Sequence, residues 1–234
     1  MTVFITGASQ GIGEAIALAY AAEYGRRARL ALVARSADRL EAVAARCRDR
    51  GASAQAFVCD VTDDVAVEAT AAAASEAWGP PNVLINNAGH FEPGGVLETT
   101  PDAFRRALEV NVTSAFLVTR AVLPAMLERG AGRIVMMGSV ASVRGYPGGT
   151  AYGAAKHALL GLARALREET KGTGVGVTTL LPGATRTPSW DGVDVPAERL
   201  MPASDIAQLV VEVSSLSARS VVEEVLIRPA AGDL

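Results

Sequence analysis

Short apolar runs rich in β-branched residues alternate along the chain with longer alanine-rich stretches that have helical periodicity. The short runs predict strands at Val3–Thr6, Leu30–Ala34, Ala54–Cys59, Val83–Asn86, Arg133–Gly138, Val175–Leu181 and Val222–Ile227. The longer stretches predict helices at residues 12–24, 37–50, 63–78, 101–129, 151–171 and 203–214. Strands that are apolar throughout indicate a parallel sheet covered on both faces. The pattern therefore predicts an α/β fold, a single doubly wound domain over residues 1–234 with a seven-stranded, mainly parallel sheet and helices on both faces.

Composition narrows the classes of protein that fit this pattern. Half of the 234 residues are hydrophobic and a fifth are charged, so a large core can be buried. The net charge of −3 and the pI near 5.5 argue against a nucleic-acid partner, which usually requires a basic face. Only Cys47 and Cys59 are available for disulfides, which favours a reducing, cytoplasmic setting.

Three kinds of feature are not expected from the sequence. No apolar run approaches the ~18 residues of a membrane span, so no membrane association is predicted. The chain enters its first strand without a basic segment, so a signal peptide is not expected either. Cysteine, histidine and acidic residues do not recur at ligand spacing, so no metal site is predicted.

The first candidate site is the glycine-rich stretch TGASQGIG at residues 6–13, between the first strand and a helix predicted to open at Ile12. Gly7, Gly11 and Gly13 would let the backbone approach a pyrophosphate, whose charge the helix N-terminus meets. The alternative is a plain glycine turn between strand and helix. The strand–turn–helix context favours a nucleotide, and the residues assigned to its binding are Gly7, Ser9, Gln10, Gly11, Ile12 and Gly13.

The end of the second strand, LALVARSADRL, indicates which dinucleotide is bound. An NAD enzyme places an acid there to accept a hydrogen bond from the ribose 2′-hydroxyl, whereas this strand delivers Arg35 and Ser36. A guanidinium and a hydroxyl suit a 2′-phosphate, which favours NADP(H). The alternative is that Ser36 is only a helix N-cap and Arg35 only a surface residue.

Further motifs carry a resemblance to a known family. NNAG occupies residues 86–89, Asn111 lies in EVNVTSAF, and Ser139 lies thirteen residues before Tyr152, which is followed four residues later by Lys156. Together with TGASQGIG, these motifs resemble the short-chain dehydrogenase/reductase family over essentially the whole chain. The resemblance implies a Rossmann-like fold and an NADP-dependent oxidoreductase acting on CH–OH and C=O groups of a small-molecule substrate.

The resemblance also implies the catalytic roles. Tyr152 would donate the proton to the carbonyl, although a free phenol has a pKa near ~10 and needs about 4 kcal/mol of help to ionise near neutrality. Lys156 lies one helical turn along, so its ammonium is expected to supply much of that stabilisation and to hold the nicotinamide ribose. Ser139 would bind the substrate oxygen. Asn111, within the long predicted helix, would hold a water that links Lys156 to solvent.

The cofactor contacts implied by the family continue along the chain. Asp60 and Val61 would meet the adenine. The segment Asn87, Ala88 and Gly89 would line the ribose and the nicotinamide side, unless NNAG is simply a tight turn that closes a strand. The nicotinamide end would be contacted by Pro182, Gly183, Thr185 and Thr187.

The substrate is less well specified. Four residues are candidates to contact it: His90, Tyr146, Trp190 and Asp233. Within the family the chain is similar to the sepiapterin reductases, which implies reduction of a pterin side-chain ketone. Reductases of 3-oxoacyl-acyl-carrier-protein, sugar or steroid-like ketones are the alternative, and a non-catalytic NADP sensor or a methyltransferase on a similar fold is disfavoured by Ser139, Tyr152 and Lys156. The family also implies a homodimer or homotetramer.

Overall fold

The computed structural model describes residues 1–232, which form a seven-stranded sheet in the order β3-β2-β1-β4-β5-β6-β7. The strands are β1 Thr2–Thr6, β2 Arg29–Ala34, β3 Ser53–Val58, β4 Val83–Asn86, β5 Gly132–Met137, β6 Val175–Pro182 and β7 Glu224–Ile227. Every neighbouring pair is parallel. The α/β prediction is confirmed, and the sheet is parallel throughout rather than mainly so. One candidate, Asp233, lies outside the described residues.

Helices cover both faces of this sheet. They are α1 Gly11–Tyr24, α2 Ala37–Arg48, α3 Asp64–Trp78, α4 Pro101–Leu108, α5 Ser114–Arg129, α6 Thr150–Glu169 and α7 Ala203–Ser215. One core joins α1, α2 and α7 to the sheet, with Ile16, Leu40 and Val210 fully or almost fully buried in it. The other core joins α3, α5 and α6 to the opposite face, where Val122 and Leu159 are buried. The two apolar layers explain why the central strands carry no polar alternation.

The stretch predicted as one helix over residues 101–129 is interrupted. A π-helical turn, Glu109–Thr113, separates α4 from α5. The apolar residues of EVNVT continue the helical periodicity of the flanking stretches, so hydrophobic periodicity alone does not reveal the turn. A π turn inserts an extra residue into a helix, and such turns are frequent at functional sites. Here the turn contains Asn111, whose side chain is almost completely buried.

The same stretch corrects an expectation about membrane-length segments. Taken together, Pro101–Arg129 is long and apolar enough to pass as a membrane span by length and composition. Its apolar side chains have a different explanation, because Val118, Val122 and Met126 are buried against the sheet. They form part of the core that the parallel sheet requires.

Candidate active site

The predicted site residues follow the carboxyl ends of the strands. Since all strands run the same way, the turns after β1, β3, β4, β5 and β6 meet at one edge of the sheet. Those turns contain the glycine-rich stretch, Asp60, Asn87, Ser139 and Gly183. The helix α6, which carries Tyr152 and Lys156, packs against the turn that follows Ser139.

The glycine-rich turn is built for close packing as well as for an open helix end. Gly7 and Gly11 have φ angles of 65° and 61°, which L side chains rarely adopt. A Cβ on Gly7 would lie 2.9 Å from the Cα of Ala88, and one on Gly13 would lie 2.3 Å from the carbonyl oxygen of Gly7. Gly7 and Gly13 therefore serve contacts inside the protein. The expectation that all three glycines let the backbone approach a pyrophosphate stays a prediction.

Gly11 faces the cleft instead. A Cβ there would lie 3.3 Å from the methyl group of Thr187, on the segment that follows β6. The N-cap residue of α1 is Gln10, whose side chain makes no capping hydrogen bond to the helix. The first amide groups of α1 consequently point at the cleft without a side-chain acceptor, as a helix end that binds an anion requires. Ser9 and Ile12 lie on either side of this opening and are half-buried.

The turn after β4 is fixed to the glycine-rich turn by hydrogen bonds. The Nδ2 of Asn87 donates to the carbonyl oxygens of Thr6 (3.0 Å) and Gly7 (3.2 Å). The Oγ1 of Thr6 accepts from the backbone amides of Asn87 and Ala88, each at 3.0 Å. The amide group of Asn87, predicted to line the ribose, thus holds the two turns together. Thr6 was not singled out from the sequence, and only the opening T of TGASQGIG marked it.

The end of β2 presents two arginines rather than one. The guanidinium of Arg35 is largely exposed and lies 4.0 Å from the carboxylate of Asp60. The Nε of Arg39 donates to the Oγ of Ser36 at 3.1 Å, and its NH1 donates to the Oε1 of Gln10. Arg39 was missed in the sequence analysis. Its position three residues after Ser36, in the first turn of α2, was the available signal.

Asp60 and Val61, which follow β3, have different surroundings. The pKa of Asp60 lies below its usual value, chiefly because the backbone amide of Thr62 donates to it, with the Thr62 hydroxyl and Arg35 acting in the same direction. Val61 is buried in the core beneath it. The position of Asp60 beside Arg35 is consistent with the adenine end, while its role there stays a prediction.

The segment after β6 is partly structural. The amide of Gly183 donates to the carbonyl oxygen of Ile227 at 2.8 Å, continuing the ladder in which Pro182 faces Ile227. Thr185 is buried, its hydroxyl donates to the Gly183 carbonyl at 2.9 Å, and it pairs with Met201. Thr187, another of the predicted nicotinamide contacts, lies against Gly11 of the glycine-rich turn.

Ser139 and Tyr152 come together beyond β5. Ser139 is buried, and its Oγ accepts from the backbone amide of Ala141 at 3.1 Å while its own amide donates to Ser142. The Tyr152 hydroxyl is hydrogen-bonded to the Ser139 side chain, and burial raises the pKa of Tyr152 to about 12 against the opposing effect of that bond. In the chain alone Tyr152 therefore keeps its proton at neutral pH, so it has a proton to donate.

Lys156 lies on the same side of the helix as Tyr152, but its immediate partner is different. The Nζ of Lys156 lies 5.5 Å from the centroid of the Tyr152 ring and donates to the carbonyl oxygen of Met137 at 2.8 Å. Burial lowers the pKa of Lys156 to about 8. Burial and the nearby Tyr146 raise the pKa of Tyr152, and only the Ser139 hydrogen bond lowers it, so the expected lowering of that pKa by the Lys156 ammonium is not observed in the chain alone.

Asn111 is tied to the turn after NNAG. Its Nδ2 donates to the carbonyl oxygens of His90 and Ala107, each at 3.0 Å, and its Oδ1 accepts from the His90 amide at 3.2 Å. A Cβ on Gly89 would lie 2.8 Å from that Oδ1 and 3.5 Å from the Nζ of Lys156. The absence of a side chain at Gly89 thus lets the Asn111 and Lys156 side chains lie close to its backbone. The predicted link from Asn111 to Lys156 through a water stays a prediction.

Two aromatic side chains flank Tyr152. The Phe91 ring meets the Tyr152 ring edge to face, with centroids 5.1 Å apart and planes at 83°. Tyr146 lies against Gly149, where a Cβ would come within 2.6 Å of the phenol ring. Tyr146 was a predicted substrate contact, whereas Phe91 was not singled out because it lies in a loop without periodicity. The His90 side chain is exposed beside them.

The remaining expectations concern Trp190 and metals. Trp190 closes a short 3-10 turn, Pro188–Trp190, where its side chain is half-buried and its amide donates to the Thr187 carbonyl at 3.0 Å. Its contact with substrate stays a prediction. Within residues 1–232, no three histidine, cysteine or acidic side chains are grouped so as to hold a metal ion.

The chain is similar in sequence and in structure to several known oxidoreductases. The sepiapterin reductase of Chlorobaculum tepidum is 33% identical over 241 residues, covering 99% of this chain and 97% of that protein. An alcohol dehydrogenase from Thermococcus sibiricus complexed with 5-hydroxy-NADP superposes with a TM-score of 0.90 at 31% identity, covering 98% of this chain and 96% of that one. A variant of the actinorhodin polyketide ketoreductase with NADPH gives 0.90 at 30% identity, with coverages of 100% and 97%.

The family profile agrees with the site. The profile described as short chain dehydrogenase matches residues 1–195, which include the glycine-rich turn, Asn111, Ser139, Tyr152 and Lys156. The full-length relatives extend the likeness through β7. The chain belongs to the short chain dehydrogenase family.

Proposed function

We propose that the chain is an NADP(H)-dependent carbonyl reductase, or alcohol dehydrogenase in the reverse direction. One observation carries the proposal. A phenol held in its protonated form, Tyr152, is hydrogen-bonded to Ser139 and has a buried lysine, Lys156, one helical turn away. A non-catalytic sensor or a methyltransferase has no use for such a proton donor beside its nucleotide.

The roles of the chain's own residues follow from their positions. The hydroxyls of Ser139 and Tyr152 would both hydrogen-bond the substrate oxygen, which polarises the carbonyl and fixes its distance from the acid. When bound, the reduced nicotinamide supplies the hydride. Tyr152 then gives its proton to the developing alkoxide, and the charge of Lys156 stabilises the phenolate that forms.

The groups at the end of β2 favour a phosphorylated dinucleotide. Arg35 and Arg39 bring two positive charges next to the Ser36 hydroxyl and the open N-terminus of α1. Charge-assisted hydrogen bonds from such groups suit a 2′-phosphate better than a ribose hydroxyl. The NADP-type ligands of the two solved relatives support the same choice.

For the substrate we propose a small ketone of the sepiapterin type, with the side-chain carbonyl of a pterin as the leading candidate. The full-length likeness to a sepiapterin reductase supports this choice. The second candidate is a polyketide-type or 3-oxoacyl ketone, supported by the likeness to the actinorhodin ketoreductase.

We further propose a cytoplasmic homodimer or homotetramer, in which α5 and α6 pair with a second copy and cover side chains such as Phe116, which is 48% exposed.

The test is the exchange Tyr152→Phe, which removes the hydroxyl and keeps the ring. NADPH oxidation is measured against sepiapterin, diketones and a 3-oxoacyl thioester, and NADPH binding is followed by its fluorescence. We expect turnover of every accepted ketone to fall by about 10²–10⁴-fold while NADPH binding changes little.

Tyr24→Phe, on α1 near the opposite edge of the sheet, is the matched control because it makes the same exchange at a stacked tyrosine. The proposal fails if the wild-type protein binds NADPH yet reduces no ketone, or if Tyr152→Phe reduces ketones at the wild-type rate.

A further inference from the structure

The surroundings of Tyr152 contain two aromatic rings that the proposed proton transfer does not use. Phe91 follows the turn after β4 and meets the Tyr152 ring edge to face at 5.1 Å. Tyr146 belongs to the loop between β5 and α6 and lies close enough to Tyr152 to raise its pKa. Both rings are therefore neighbours of the group that would donate the proton.

The position of Tyr146 is set by a glycine. Gly149 has no Cβ, and the place where a Cβ would lie is within 3.0 Å of three atoms of the Tyr146 ring. The ring thus packs directly on the backbone immediately before α6. Any larger residue at position 149 would displace it, so the orientation of Tyr146 depends on that contact.

The two loops that carry these rings are joined to each other. The amide of Gly94 donates to the carbonyl oxygen of Gly148 at 2.8 Å, and the amide of Thr150 donates to the carbonyl oxygen of Gly94 at 3.3 Å. Gly94 and Gly149 thereby form a parallel bridge. The bridge fixes the backbones of the two loops relative to each other, so the positions from which the two aromatic side chains extend are set before a ligand arrives.

Both rings keep a large exposed surface in spite of these contacts. Phe91 is 38% exposed and Tyr146 is 40% exposed, although each touches the interior at one side. Aromatic surface beside a half-buried acid is what a ligand pocket offers to an apolar planar group. A flat ring attached to the reacting carbonyl would cover that surface while its oxygen reaches Ser139 and Tyr152.

We propose that Phe91 and Tyr146 form an aromatic slot that selects ketones with a flat, uncharged, conjugated ring next to the carbonyl. This inference rests on the proposed reductase function and specifies its substrate class. A flat ring loses little conformational freedom on entering such a slot, whereas a flexible acyl chain must be ordered and gains no stacking. A charged group would have to be desolvated against hydrocarbon. The slot therefore favours the aryl ketone over the acyl thioester among the candidate substrates.

The experiment compares two substrates that differ only in the shape of a ring. Reduction of 1-phenylpropane-1,2-dione and of 1-cyclohexylpropane-1,2-dione by NADPH is measured for the wild-type enzyme, Phe91→Leu and Tyr146→Leu. The phenyl preference is the kcat/KM for the phenyl dione divided by the kcat/KM for the cyclohexyl dione. Because each variant loses the stacking on one ring, we expect this ratio to fall by about three- to tenfold in each variant. Because the ratio is taken within one preparation, the fraction of folded enzyme cancels.

The matched control is Tyr24→Leu, which makes the same exchange as Tyr146→Leu at a stacked tyrosine on α1 and should leave the ratio unchanged. If Phe91 only held Tyr152 in place, both diones would slow equally and the ratio would stay constant, which contradicts the slot. A wild-type enzyme that reduces ketones but prefers the cyclohexyl dione, or accepts neither dione, also overturns the slot and leaves the reductase function intact. Failure to reduce any ketone would instead reject the proposed function itself.

Discussion

The two halves of the cleft differ in how far their polar side chains are exposed to solvent. At the nucleotide end, formed by the turns after β1, β2 and β3, the polar side chains of Gln10, Arg35 and Arg39 are exposed. At the catalytic end, formed by the turns after β4 and β5 and by α6, Asn111 and Lys156 are almost completely removed from solvent. Both ends lie at the same edge of the sheet, so burial and not position in the fold separates them.

The difference teaches where electrostatics can be strong. Exposed charges are screened by water and salt, so each contributes little and several must act together. Buried groups have large pKa displacements instead, to about 12 for Tyr152 and about 8 for Lys156. Binding at the nucleotide end is therefore expected to be distributed over many weak contacts, whereas proton transfer at the catalytic end depends on a few groups.

The largest effect is expected from a substitution that changes the packing at the nucleotide end. Gly13→Ala puts a methyl group 2.3 Å from the backbone oxygen of Gly7, which cannot move without shifting the turn. Overpacking against a backbone atom predicts a loss of more than about 3 kcal/mol in the free energy of unfolding, measured by urea denaturation. Such a loss would show that the glycine-rich turn beneath the exposed charges is tightly packed.

Gly161→Ala is the control for that experiment. Gly161 lies in the middle of α6, is exposed, and has no heavy atom within 4 Å of its Cβ position. The exchange should raise the free energy of unfolding by roughly 0.5–1 kcal/mol, since alanine is the better helix former. Equal effects of the two exchanges would mean that the glycine-rich turn is not tightly packed.

The catalytic end is tested by the pH dependence of stability. The pKa of Lys156 is about 8 in the folded protein and near 10.4 in an unfolded chain, so the folded state binds fewer protons between these values. Its folded pKa is depressed, so stability must rise as the pH increases from about 8 to 10.5. Relative to Lys156→Met, the wild-type protein should gain up to about 3 kcal/mol of unfolding free energy across that window.

Urea denaturation of both proteins without cofactor, at pH 7 and at pH 10, measures this difference. The lost hydrogen bond to the Met137 carbonyl does not titrate, so it cancels between the two pH values. If the difference in unfolding free energy between the two proteins is the same at both pH values, burial does not lower the pKa of Lys156. The contrast between the two ends of the cleft would then be wrong.

The smallest expected effect is the difference between Arg35 and Arg39 in their contribution to NADPH binding. Arg35 shares its charge with the Asp60 carboxylate, whereas Arg39 contacts the neutral Ser36 and Gln10. We expect Arg39→Gln to weaken NADPH binding about tenfold and Arg35→Gln about threefold, with NADH binding almost unchanged, in fluorescence titrations at low salt.

Raising the salt concentration supplies the control, because the losses should shrink when exposed charges are screened. If Arg35→Gln has the larger effect, the carboxylate of Asp60 does not compete with the 2′-phosphate. Losses that are equal for NADPH and NADH would assign both arginines to the stability of the turn.

Much of the fold was predictable because its signals are local. Strands apolar on both faces could only be central strands of a covered sheet, and TGASQGIG identified the strand-to-helix turn. Ser139, Tyr152 and Lys156 were recognisable because the chemistry needs those side chains at that spacing. The structure brings these three together, as the resemblance implied.

The features that were missed depend on groups without a sequence signature. Lys156 is bound by a backbone carbonyl, that of Met137, and any residue type would provide it. The π turn around Asn111 continues the hydrophobic periodicity of its neighbours, and its geometry is seen only in the structure, where Asn111 contacts His90. Phe91 and Arg39 acquire their partners from distant parts of the chain. Long-range packing decides all four, and one sequence does not specify it.

The uniform strand direction has a practical consequence. The turns that lead from each helix back to the next strand lie at the edge away from the cleft, and several contain a glycine with positive φ, among them Gly51, Gly79 and Gly172. None of the proposed chemistry reaches that edge. A reporter group or an affinity handle grafted into the turn around Gly172 would leave the reacting groups on the far side of the molecule.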